Sequence, residues 1–343
     1  MEFSYMMNQM KKHGIKMAGF LVVSALLATA ACAQVNPEPQ QTAAPLPKEE
    51  KADDAPQLRT KEVFDTAKYK GLLQIHYFHL KDTKVGTGDS YLITTPDGKN
   101  MLMDAGIAST GWQVVRYLDQ LGIKELDAAY NTHPHTDHLG GYAEVLKAKD
   151  AKIYYRQSHE YTDSSQYRNT IAQVDKKKIP QKILKTGDTF MLGNEVKFEV
   201  LSPNVDNVNA VIKNNEASSI NFYSLVVKMT YKDTSFIFPG DIYKDREAEL
   251  VEKFGNKLHA DFVHAPHHGN ATSSSPTWVD AVVPKVTVLS SNIFNNLEVL
   301  KRYERKGSEV YSTGLNGNIL ITSDGKKLNV VTEKDRVDTK NIR

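Results

Sequence analysis

"AAYNTHPHTDHLGGYAEVL" runs from Ala128 to Leu146 and holds His133, His135 and His138, three of the chain's eleven histidines, with Asp137 between the last two. The stretch LDAAYNTH reads as a buried strand that runs directly into the cluster, and a helix is expected straight after it, from about Leu139 to Lys147. While the chain is still extended, His133 and His135 project to one side, because strand side chains repeat every two residues. Asp137 and His138 lie one turn onward and face a second point close by. Such a loop can be merely polar and solvated. Its place at the end of an apolar strand instead suits two metal ions sharing one site, held by imidazole and carboxylate ligands that favour zinc or a similar divalent ion.

Two later stretches have the same design. FIFPGDIY places Asp241 after an apolar strand and a glycine that permits close backbone approach, and FVHAPHHGNATSSS does the same for His267 and His268. Taken alone, Asp241 reads as a cap for the helix that YKDREAEL begins. Capping does not explain three separate strands that each end in ligand-type residues.

The 343 residues, 40% hydrophobic and 24% charged, suffice for one large domain or two modest ones. The N-terminus stands apart from that fold. Lys11, Lys12 and Lys16 precede an apolar run, Met17 to Ala31, and then Cys32, the only cysteine. This is the layout of a secretory signal over residues 1–33, and the run is short of the roughly 20 apolar residues that a membrane span needs. Two readings of its processing stand. Cleavage can follow Ala33, or TAAC (Thr29 to Cys32) acts as a lipobox, with Thr29 in place of the usual leucine, and Cys32 attaches the protein to a membrane through lipid. Both put the protein outside the cytoplasm, lipid-anchored or secreted and periplasmic. Val35 to Pro56 is rich in Pro, Ala, Gln and charge, so residues 34–60 read as a flexible tether and 61–343 as the folded domain. Losing the first 33 residues removes three lysines and Glu2 and leaves 40 basic and 40 acidic residues. That balance argues against a broad nucleic-acid-binding face.

Along the domain, LLQIHYFHL and DSYLITTPDGKNMLMDAG read as strands, with a hairpin turn at PDGK. GWQVVRYLDQLGI has helical spacing. NEVKFEVLSP, YSLVVKMTY, TSFIFPGD and ADFVHAPHHG read as strands around the helix KDREAELVEKFG. Strand KVTVLSS, helix FNNLEVLKRYERKG and three final strands complete the chain. Strands and helices mix in two similar halves, which predicts an α/β fold of two packed sheets flanked by helices.

The motifs DAG (Asp104 to Gly106), THPHTDH (Thr132 to His138), GD (Gly240, Asp241) and HHG (His267 to Gly269) resemble those of the metallo-β-lactamase superfamily, over roughly Leu72 to Val331. GTGDSYLI, SLVVKM, PGDI, HAPHHG and STGLNGNILITSDG look like its ComEC-type branch, the hydrolase domain of the DNA-uptake competence protein and its stand-alone relatives. The resemblance implies an αββα sandwich with a metal site at one edge of its two sheets. It implies His133 and His135 on a first ion, Asp137, His138 and His267 on a second, and Asp241 bridging both. The chain departs from the wider superfamily in offering no ligand histidine between the cluster and Asp241. Only His159 lies there, too close to the cluster, and NFYSLVV (Asn221 to Val227) takes the place as in the ComEC-type branch. One or two ions, Zn2+ or Mn2+, are therefore compatible with it. Spacing does not separate His267 from His268, which would point to opposite sides of a continued strand. His267 is read as the ligand and His268 as a partner for a substrate oxygen.

Two ions sharing a carboxylate lower the pKa of a water between them to roughly 7, which reads as a hydrolase acting through metal-bound hydroxide. Asp137 can steer or receive the water proton, and His268 or Ser224 can meet the substrate. The ComEC-type resemblance implies a phosphodiester: a nucleotide, a short nucleic acid or a phosphocholine-type ester. A β-lactam or lactone is the alternative substrate, and a non-catalytic metal-binding protein the alternative class. The stretches NNEASS (Asn214 to Ser219) and NATSSS (Asn270 to Ser275) and the lysines at 176, 177, 178, 182 and 185 suit anions, yet they also read as ordinary loops and solvated faces. No obligate protein partner is implied.

Overall fold

The computed structural model describes residues 59–336, apart from residues 83, 213 and 295. The leader expected over 1–33 and the tether over 34–60 lie outside the described residues, save Arg59 and Thr60.

One sheet has eight strands, in spatial order Leu328–Thr332, Ile319–Ser323, Leu73–Tyr77, Tyr91–Thr94, Asn100–Met103, Ala128–Tyr130, Tyr154–Arg156 and Gln181–Ile183. The other has seven: Glu309–Ser312, Val286–Leu289, Phe262–His264, Thr234–Phe238, Val226–Tyr231, Val196–Ser202 and Thr189–Leu192. Both are mixed, antiparallel around the hairpins and parallel where helices cross over.

The layering follows from which residues alternate. In the first sheet Ile75, Tyr91, Met103 and Tyr130 meet Phe198, Met229, Phe236 and Phe262 of the second, forming the core between the sheets. Residues of opposite parity, Leu92, Leu102, Ala129 and Leu320, face out onto Val114 and Leu118 of helix Gly111–Gln120, Tyr142 and Val145 of helix Tyr142–Ala148, and Val174 of helix Ser165–Lys176. On the far side Val226, Ile237 and Val263 pack on Leu250, Trp278 and Tyr303 from three further helices. Strands apolar on both faces are what a sheet covered on both sides requires. The result is the expected αββα sandwich.

The parallel strands fix the position of the site. Asn100–Met103, Ala128–Tyr130, Thr234–Phe238 and Phe262–His264 run parallel to at least one neighbour, and their carboxyl ends open on one edge, where chain reversals leave room for ligands. The loops carrying Asp104, the histidine cluster, Asp241 and His267–His268 leave from these ends.

One expected element differs. The helix expected over Leu139 to Lys147 is split into Thr136–Leu139 and Tyr142–Ala148. Gly140 and Gly141 interrupt it because the backbone passes against another loop: a Cβ on Gly141 would stand 2.0 Å from the Ala105 carbonyl oxygen. Asp137 and His138 therefore sit on a short helix of their own.

Candidate metal centre

Asp241 is the point on which the histidines converge. Its Oδ2 lies 3.2 Å from His138 Nε2, 3.5 Å from His268 Nε2, 3.8 Å from His267 Nε2 and 3.9 Å from His133 Nε2. Its backbone N–H donates to Ser224 Oγ at 3.4 Å. Ser224 is fully buried, so it supports the Asp241 loop and does not face an open substrate side as the sequence suggested.

Two of the imidazoles are fixed from behind by carboxylates. His138 Nδ1 lies 2.8 Å from Asp104 Oδ2, and Asp104 is itself held by Asn131 Nδ2, Thr132 N–H and Thr132 Oγ1 at 3.0, 2.8 and 2.7 Å. His268 Nδ1 lies 2.9 Å from Asp89 Oδ1 and 3.0 Å from the Ser290 carbonyl. Asp89 Oδ2 in turn is 2.8 Å from His264 Nε2, and His264 Nδ1 is 3.1 Å from Tyr77 Oη. A carboxylate on one ring nitrogen sets the tautomer and leaves the other nitrogen's lone pair free for a metal.

The first pair of the cluster forms a separate corner. His133 Nε2 and His135 Nδ1 are 3.0 Å apart, and His133 Nδ1 is 3.0 Å from Thr132 Oγ1. Asp137, its side chain 34% exposed, places Oδ2 3.2 Å from His268 Nε2 and 3.9 Å from His138 Nε2.

His267 and His268 are distributed opposite to the sequence reading. The strand ends at His264, and both histidines adopt left-handed backbone conformations, with φ of 52° and 55°. The alternation rule of a continued strand therefore does not apply. His268 turns inward, within reach of Asp89, Asp137 and Asp241. His267 lies on the more open side, its Nδ1 2.6 Å from Thr272 Oγ1 and its ring 5.1 Å from that of Tyr243. The grouping thus favours His268 over the expected His267.

Charge in the centre is balanced between these groups. Burial alone would lower the pKa of His138, but Asp241, Asp137 and Asp104 outweigh it and hold it well above the ordinary histidine value. Burial likewise opposes Asp241, Asp89 and Asp137 at His268, and the carboxylates again prevail. Burial would raise Asp241, yet His138 and His268 hold it well below the usual carboxylate range. His133 is pushed well down by burial and by His138, and burial lowers His135 and His267. Several carboxylates thus lean on two protonated rings for charge balance, a task that a divalent cation performs while releasing those protons.

The donor set fits such a cation. Asp89, His138, Asp241 and His268 each bring one ligand-type atom within 4.8 Å of the others. His138 Nε2 and Asp241 Oδ1 are buried without a hydrogen-bond partner, and buried polar atoms are rarely left so.

Asp89, Asp104 and His264 were given no role from sequence alone, although GTGDSYLI, DAG and HAPHHG contain them. Several residues of the stretches thought to suit anions are engaged elsewhere. Ser273 Oγ donates to the Ile242 carbonyl, and the Ser274 and Ser275 N–H groups donate to buried Glu247. Lys177 pairs with Asp150, and Lys185 with Asp206.

Residues 83–212 match the family model described as the metallo-beta-lactamase superfamily. The chain is 26% identical over 257 residues to ComE operon protein 3 of Bacillus subtilis (strain 168), covering 68% of this chain and 32% of that protein. It is 27% identical over 242 residues to competence protein ComA of Neisseria gonorrhoeae, covering 68% and 30%. It therefore spans about a third of the length of these curated relatives. The Zn2+-bound PqqB of Methylobacterium extorquens is similar at 10% identity and a TM-score of 0.45, over 73% of this chain and 99% of that one. The matched segment contains the first histidine cluster, and the αββα sandwich brings that cluster to the sheet edge where His268 and Asp241 close the donor set: residues 83–212 are a metallo-beta-lactamase superfamily segment, and about two thirds of the chain is similar to ComEC-type competence proteins.

Proposed function

We propose that the protein hydrolyses a small or short phosphodiester outside the cytoplasm: a nucleotide, a short nucleic acid or a phosphocholine-type ester. The observation that carries the reading is the convergence of two carboxylate-backed imidazoles, His138 and His268, on Asp241. His138, Asp241 and His268 would hold one divalent cation together with Asp137, which faces the same ring nitrogen of His268, while Asp89 backs that ring on its other nitrogen; His133, His135 and Asp241 would hold a second. Zn2+ or Mn2+ suits nitrogen and oxygen donors of this kind. Such a cation supplies Lewis acidity toward a phosphoryl oxygen.

The chain's own groups divide the remaining work. Asp137, the more exposed carboxylate, is placed to take up a water proton. His267, on the open side and braced by Thr272, is placed to meet a non-bridging oxygen of the substrate, the role that sequence assigned to His268. A phosphoryl group presents two such oxygens and a β-lactam only one carbonyl, which favours the phosphodiester. The relative named a competence protein points to nucleic acid within that class. The even balance of charge after residue 33 favours a short substrate over a long one held by many phosphate contacts.

The test is a substrate panel of bis-aryl phosphodiester, DNA, lactone and β-lactam, run beside metal analysis. Phosphodiester turnover should exceed the others with a shallow salt dependence. Faster β-lactam or lactone turnover transfers the reading to that alternative. A metal-free protein that stays so after zinc or manganese reconstitution ends the hydrolase reading. Export rests on Lys11 to Cys32, and mass spectrometry of cell-derived protein should find either Gln34 free or Cys32 with lipid at the N-terminus.

A further inference from the structure

His133 and His135 stand at a corner of the centre that His138 borders, its ring 4.1 Å from that of His133, and to which no further imidazole comes among the described residues. His159, the one histidine between residues 138 and 241, is engaged elsewhere, its Nδ1 2.7 Å from Asn209 Oδ1. The side chain that does reach this corner is Asn221, on the last turn of helix Ala217–Phe222. It is 2% exposed. Its Nδ2 donates to Tyr243 Oη at 3.1 Å, and its Oδ1 is buried with no hydrogen-bond partner. Burial lowers the His135 pKa, and the Asn221 side chain is among the groups that oppose that lowering.

The surroundings hold it there from several sides. Leu225 N–H donates to the Thr132 carbonyl at 2.9 Å, tying the segment after Asn221 to the residue before His133. Ser224 N–H donates to the Asn221 carbonyl at 3.0 Å, and Ser224 Oγ accepts from the Asp241 backbone. Tyr243, which receives the amide nitrogen, lies two residues beyond Asp241 and against the His267 ring. An amide oxygen buried without a donor costs on the order of 1–3 kcal/mol. This one is surrounded by residues of the metal centre.

From this geometry we propose that Asn221 Oδ1 is an oxygen ligand for the ion on His133 and His135, in the place of the missing third histidine. The inference rests on the reading of the centre as a divalent-metal site. The 3.0 Å between His133 Nε2 and His135 Nδ1 is about that of two nitrogens on adjacent positions of an octahedral ion at roughly 2.1 Å, and shorter than the roughly 3.4 Å of a tetrahedral one. Amide oxygens are neutral ligands that suit Mn2+ better than Zn2+. The corner would then hold its ion more weakly than the one built on His138 and His268, because the shared Asp241 is its one charged ligand whereas Asp137 adds a second carboxylate to the other.

The test compares the full chain with N221A and N221D in titrations with Zn2+ and, separately, Mn2+. Bound equivalents are counted by elemental analysis, and free Mn2+ is followed by its paramagnetic resonance signal. The parent should bind two equivalents of unequal affinity. N221A should keep the tighter one, which also reports an intact fold, and weaken the other tenfold or more. N221D, nearly isosteric and bearing a charged oxygen, should restore or tighten it. Unchanged affinities in N221A would overturn the proposal. So would an N221D as weak as N221A, which would make the amide nitrogen, orienting His135, the group that matters. A parent binding a single equivalent overturns the Asn221 role and leaves the hydrolase reading standing; a parent binding none removes both.

Discussion

Asp89 Oδ1 reaches His268 Nδ1 at 2.9 Å across 179 residues of sequence, so the orientation of the last histidine is fixed by the loop before the first hairpin. Removing that carboxylate leaves the His268 side chain in place but free to take the wrong tautomer. D89A should lower metal affinity about 10- to 100-fold, the usual effect of losing such a partner, as read by competition with a chelator of known affinity. Affinity equal to the parent's would mean that the Ser290 carbonyl alone orients the ring.

The exchanged roles of His267 and His268 make a paired prediction. H268A should release metal from the centre. H267A should retain it and slow phosphodiester turnover, by about 3 kcal/mol in activation energy if its contact forms in the transition state. Elemental analysis of both dialysed variants separates the two histidines, and metal loss in H267A alone would restore the assignment drawn from sequence.

Gly88 has φ +70°, and a Cβ there would stand 1.8 Å from the Asp137 carbonyl oxygen. G88A thus combines a left-handed alanine with a backbone clash beneath the cluster. A loss of about 3 kcal/mol is expected from the two effects, measured by denaturant unfolding, together with weakened metal binding because Asp137 must shift.

A pH effect is expected far from the centre. His76 is buried in strand Leu73–Tyr77, its Nε2 3.0 Å from the Val63 carbonyl, and burial pushes its pKa down to about 4. The unfolded chain protonates this ring near pH 6.5, and the folded protein resists until about pH 4. Its contribution to stability is complete above pH 6.5 and is lost as pH falls through that window, reaching about 3 kcal/mol. H76F should flatten the stability profile between pH 6.5 and 4 relative to the parent, as read by unfolding at several pH values.

The first cluster was legible because its donors are local: a strand end and one turn of chain deliver His133, His135, Asp137 and His138 whatever the rest of the fold does. The sandwich was legible from strands apolar on both faces. Asp89 was not, because a lone aspartate ahead of a strand looks like turn chemistry and its meaning depends on a residue in the other sheet. Spacing left open which of His267 and His268 turns inward. The backbone turns left-handed at both, and neither residue type signals that. The split of the expected helix at Gly140 and Gly141 was hidden for a similar reason, since the close approach of Ala105 is tertiary.

The centre draws its side chains from four loops, the first leading into Tyr91–Thr94 and the last leaving Phe262–His264, so it joins both sheets at one edge. A chain whose only cysteine is Cys32 can form no internal disulfide across that edge. A cation shared by Asp241 and the histidines would be a reversible staple in its place, adding stability in proportion to the logarithm of free metal over its dissociation constant. The lifetime of the folded enzyme against proteases would then follow the metal supply of its surroundings, and the same residues that cleave substrate would set how long the protein survives.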